Sequence, residues 1–190
     1  MRTFNPQRVG ELETAAWVAY YRRRWLPALR AFFALTREAF GLPWIATARG
    51  AFLVLRANQA WAPYPDNDPD AARDYMRRFY ELVAKHSGEG FDSAEAARRE
   101  VEWWRVHRML QHDREAGDDD ELVEALAADY SHVYSVPPDS VREAAEQRAA
   151  AMLHSDRWVA AGCDPSSPLV SQEREALVRS YTLLLEAVSA

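Results

Sequence analysis

The stretch Glu100–Asp113, EVEWWRVHRMLQHD, decides how this chain is read. It is helix-length and holds two tryptophans, two histidines and several carboxylates. On a 3.6-residue wheel, Trp103, Val106 and Leu110 form one apolar stripe, with His107 beside it. Glu100 and Gln111 line up with His107, seven and four residues away, whereas His112 points elsewhere. The stretch therefore reads as one wall of a helical core, with a polar edge that could carry chemistry.

The same apolar periodicity extends through most of the chain, and no convincing alternating strand interrupts it. Punctuation divides it into about seven helices. The first is expected from about residue 9 to 40, with Pro27 placed to kink or divide it. Gly41-Leu42-Pro43 ends it and opens a second helix to about Trp61. After the turn-rich APYPDNDP, Asp68 caps a third, with Pro69 in its first turn. Asp92 or Ser93 caps a fourth, which contains the opening stretch. REAGDDDE precedes a fifth to about Tyr134, SVPPDS a sixth to about Ala161, and the last begins near Pro168. No period repeats between segments. The expected fold class is all-α: residues 1–190 as one helical-bundle domain of about seven helices.

The 190 residues include 48% apolar residues, enough for a packed core. The single cysteine, Cys163, cannot form an internal disulfide, and no apolar run suggests a signal peptide or a spanning helix, so a cytoplasmic location is expected. Arginine outnumbers lysine 22 to 1, the usage of a GC-rich bacterial genome.

Charge is unevenly divided. Residues 1–62 hold nine Arg and three Glu, net +6, and eleven of the 22 aromatic residues. Residues 63–190 carry a net charge of −12. A cationic-aromatic first third suits an acidic partner. Candidate binding residues are Arg22, Arg23, Arg24, Trp25, Arg49 and Arg56, with Ile45, Phe52 and Leu55 placed elsewhere on the helix of Arg49 and Arg56. The expected partners are the acidic remainder of the chain or of a homodimer, an anionic lipid surface, or a small acidic apolar ligand. Nucleic acid is not expected, because the acidic majority would repel its phosphates.

The leading functional expectation is a non-catalytic binding protein that works through this first third, without a cofactor. The alternatives are a structural homodimer and a metal-dependent enzyme. In the enzyme, Glu100, His107, Asp129 and His132, with Glu146 as a further candidate, would hold iron or another divalent metal between the fourth and fifth helices. Asp129 and His132 share the i,i+3 spacing of a ligand pair. The Glu-x-x-His of di-iron bundles is absent from the chain. Asp66, Asp68 and Asp70 have calcium-loop spacing, but Ala71 and Arg77 stand where such a loop needs glycine and glutamate, so helix capping is the simpler reading. No glycine-rich phosphate loop and no Gly-x-Ser-x-Gly occurs.

Overall fold

The computed structural model describes residues 2–113 and 118–189. Residues 114–117, part of the separator before the fifth expected helix, lie outside the described residues. Among the described residues there are eight α-helices and no strand. They are α1 (Pro6–Tyr21), α2 (Trp25–Phe40), α3 (Trp44–Trp61), α4 (Pro69–Ser87), α5 (Ser93–His112), α6 (Asp119–Tyr134), α7 (Pro138–Ala160) and α8 (Pro168–Ser189).

The eighth helix comes from dividing the first expected one, and Pro27 is not where the chain breaks. Pro27 is the third residue of α2, a position whose N–H would have no partner within the helix. The break falls at Arg22–Arg24. Arg23 takes a left-handed conformation (φ 55°), and the amide of Arg24 donates back to the Ala19 carbonyl at 2.8 Å. That is a Schellman-type stop, built here without glycine. Other boundaries follow the expected caps. Asn5, Asp68, Asp92 and Asp118 each accept a first-turn amide, and Gly41 and Gly88 end α2 and α4 in the left-handed region. Asp68 bonds the Ala71 amide at 2.9 Å, so this aspartate of the calcium-like spacing is a helix cap.

Each helix packs against the next, and α8 returns to pack on α1, closing the circuit. The tightest closure is between α1 and α8. A methyl group at Gly10 would sit 2.8 Å from the backbone nitrogen of Val178, so the two backbones approach as only glycine allows. The core fills the ring with Phe79, Val83, Trp103, Val106, Leu110, Leu122, Leu126 and Leu184, and a smaller cluster around Phe32 and Leu55 joins α1, α2 and α3. No helix is long and apolar enough to cross a membrane among the described residues.

Gly10→Ala should force α1 and α8 apart at the closure. We expect a loss of about 1–3 kcal/mol, seen as a melting temperature lowered by several degrees. Gly88→Ala meets no neighbouring atom, so its smaller cost should come from its positive φ alone.

Candidate functional site

The ring encloses a cavity of about 160 Å³ to which all eight helices contribute. One end is apolar, formed by Val9, Phe32, Leu35, Phe40, Met76 and Phe79. The other end is polar, and its charged groups fall into two sets.

The first set is an ion pair. Arg148 on α7 donates to both carboxylate oxygens of Glu13 on α1, at 2.5 and 3.2 Å. The fork-on-carboxylate geometry is the strong one for a guanidinium. Arg148 also donates to the hydroxyls of Tyr130 (3.2 Å) and Tyr181 (2.8 Å), and lies over the rings of Trp103, Tyr130 and Tyr181. Glu13 further accepts from the Trp17 indole at 3.0 Å and from the Tyr181 hydroxyl. Burial opposes the Arg148 charge, but Glu13 and the surrounding acids outweigh it and hold the guanidinium protonated.

The second set is a carboxyl pair. Glu100 on α5 accepts from the Tyr80 hydroxyl at 2.9 Å and the Trp104 indole at 3.1 Å. Asp129 on α6 is buried, lies close enough to Glu100 to feel its charge, and has one oxygen, Oδ1, without a partner among the described residues. Burial pushes the Glu100 pKa up against the opposing pull of Arg148. Burial and then the Glu100 charge push Asp129 well above the ordinary carboxylate range. Burial and the closeness of a second carboxyl both oppose ionising the two together. With Arg148 paired to Glu13, neither carboxyl has an ion-pair partner of its own among the described residues.

A second polar cluster lies beside the cavity, around α8. Asp156 on α7 faces His107 at 3.0 Å and accepts from Gln111 at 2.8 Å. Nearby, neither oxygen of the buried Glu173 completes a hydrogen bond among the described residues. Burial, partly offset by the Ser155 hydroxyl, pushes its pKa up to about 8.

The structure separates the residues of the metal set expected from the sequence. Glu100 and Asp129 do meet. His107 instead turns toward Asp156, and His132 bonds the Asp92 carbonyl at 2.9 Å on an exposed edge. The two histidines therefore have separate partners rather than a common point. Glu146 pairs with Arg142 at the surface. Among the described residues, no group of three or more His, Cys, Asp or Glu side chains converges as a metal site would.

The expected cationic residues also lie away from the cavity. Arg23 donates to the Ala62 carbonyl and sits over Tyr20 and Trp25, while Arg56 donates to Gln59 and lies over Tyr75. No ion pair among the described residues joins Arg22, Arg23, Arg24, Arg49 or Arg56 to an acid, although Asp164 lies near enough to Arg22 for the two charges to interact. A further correction concerns α3: Ile45, Arg49, Phe52 and Arg56 occupy one exposed stripe, because steps of four, three and four residues keep to one side.

Sequence reasoning missed Glu13, Arg148, Tyr80, Tyr130 and Tyr181. A usable signal existed for two of them. Arg148 falls within the apolar set Val141, Ala144, Ala145, Ala149 and Met152, and Glu13 within Val9, Leu12 and Ala16. A lone charge on a core stripe calls for an opposite charge on another.

No family model matches the chain, and no curated protein or solved structure matches it at a significant level. The fold and site thus define a class by their own geometry: an all-α ring around an aromatic, acid-lined cavity.

Two outcomes test this electrostatic description. Arg148→Met should destabilise the fold by about 3–5 kcal/mol in urea unfolding, since it leaves Glu13 buried and unpaired. The Glu13→Gln/Arg148→Met double variant should recover part of that loss. For Glu173 the sign follows from a folded pKa near 8 against an ordinary 4.5. The folded protein keeps a proton that the unfolded chain releases, so stability falls as pH rises between those values, by up to about 1.4 kcal/mol per pH unit. Glu173→Gln should flatten that decline and raise the urea midpoint most at pH 8.

Proposed function

We propose that the protein binds a small organic cation, a single-ring or similarly compact amine, in the central cavity. The observation that carries this reading is the Glu100–Asp129 pair: two buried carboxyls with no cation paired to them, and one unpartnered oxygen, at the polar end of an otherwise aromatic chamber. An ammonium group would pair with the carboxyls and occupy the unpartnered oxygen. Its apolar part would lie among Phe40, Phe79 and Met76. Trp103, Trp104 and Tyr80 place aromatic rings close to the acids, as cation recognition favours.

Size supports the same class. An apolar cavity of about 150 Å³ accommodates one benzene ring, so a volume near 160 Å³ suits one ring with a short polar arm. The binding role expected for the first third is thereby moved inward. Its aromatic residues build the apolar end, while its arginines face elsewhere. The preferred ligand charge is also reversed relative to the acidic ligand expected from the sequence. Arg148, the cation at the polar end, is already engaged by Glu13, so a carboxylate ligand would meet acids without an available counter-charge.

Calorimetric titration with phenethylamine, phenylacetate and toluene provides the test. The amine should bind most tightly, with affinity increasing as pH rises and the carboxyls give up their protons. Glu100→Gln and Asp129→Asn should each weaken it by tenfold or more, in line with the loss of a buried charge partner. Equal or tighter binding of phenylacetate would overturn the reading.

A further inference from the structure

We infer that the outer face of the α2–α3 hairpin docks on an anionic lipid surface. This inference is independent of the cavity and its ligand. On α2 the outward stripe is Leu26, Arg30, Phe33 and Arg37; on α3 it is Ile45, Arg49, Phe52 and Arg56, with Trp44 at its start. The two helices pack side by side, so the stripes form one face. Its apolar residues are unusually open to solvent: Ile45 88%, Leu26 72%, Trp44 64% and Phe52 53%. Arg37 lies over the Trp44 ring at 4.3 Å, and Trp44 packs on Phe33.

Apolar and cationic side chains alternate along both helices. The one acid on them, Glu38, is half-buried and accepts the Asn5 amide. An interfacial surface has this composition: aliphatic and aromatic groups to enter the acyl boundary, and long arginines to reach headgroup phosphates.

Charge and shape select the lipid over other acidic partners. A nucleic acid backbone would satisfy the arginines but would leave Leu26 and Ile45 with no apolar surface to bury against. The acidic helices of a second copy are poor complements, because many of their carboxylates are already engaged by their own arginines. Asp74 and Glu81 are held by Arg77, Glu95 by Arg98 and Arg99, and Glu102 by Arg105. The net charge of −6 does not prevent approach. The acid-rich helices α6 and α7 are not among the main packing neighbours of α2 or α3, and salt screens exposed charges beyond about 10 Å at 0.1 M.

The test is tryptophan fluorescence and co-sedimentation of the full chain with phosphatidylcholine vesicles, with and without phosphatidylglycerol. We expect binding to the anionic vesicles only, and its loss at high salt. Arg49→Gln/Arg56→Gln should weaken it by about 30-fold, the effect of removing two surface arginines. Ile45→Ser/Phe52→Ser should also weaken it. All four side chains are exposed, and unchanged helical circular dichroism would establish that the variants fold. Three results would overturn the inference: no binding to anionic vesicles, equal binding to neutral ones, or sedimentation velocity showing a dimer that the same substitutions dissociate.

Discussion

The ion pair of Arg148 with Glu13 is the constraint around which the ring is organised. It joins α7 to α1, two helices separated by most of the chain, and each partner recruits further groups. Tyr130 from α6 and Tyr181 from α8 bond the guanidinium, and Trp17 bonds the carboxylate. Four helices thus meet at one polar point inside an apolar core. Such a pair adds little net stability over a well-packed apolar alternative, because desolvating both ions offsets most of their attraction. Its consequence is positional: once the pair is present, neither charge can leave the interior without leaving the other unpaired.

The pair also determines what the rest of the cavity can be. Because Glu13 neutralises Arg148, the guanidinium is not available to the Glu100 and Asp129 carboxyls at full strength. It lowers both pKa values, but burial prevails at Glu100, and burial with the Glu100 charge prevails at Asp129. The interior therefore keeps acid groups poised by their surroundings rather than paired, at the boundary between an aromatic wall and a polar one. Perturbed titratable groups lining a concave, largely apolar space are the physical basis of the cation-binding proposal. Glu173 shows the same imbalance one layer away, as a carboxyl in the core without a cation.

The α2–α3 hairpin belongs to both the inside and the outside of this arrangement. Phe32, Leu35, Thr36 and Ala39 on α2 line the cavity, and so do Val54 and Asn58 on α3. The opposite faces carry the alternating arginine and apolar stripes. A helix pair that is apolar on two sides has little surface left for ordinary solvation. That explains why the first third of the chain combines so many aromatic residues with so few acids.

The sequence by itself determined the helical class and most helix boundaries, since capping and 3.6-residue periodicity are local properties. It also placed Trp103, Val106 and Leu110 in the core wall, Asp129 on an apolar edge and His132 outside it. Glu100 and Asp129 could be named as neighbours in a site because each stands at the margin of a buried stripe. What they face was decided by tertiary structure. Which way His107 turns is set by Asp156, and that partner lies 49 residues away. Likewise, Glu13 and Arg148 meet across 135 residues. Charge pairing is a matter of distance in space, and local periodicity indicates which way a side chain faces but not what it meets there.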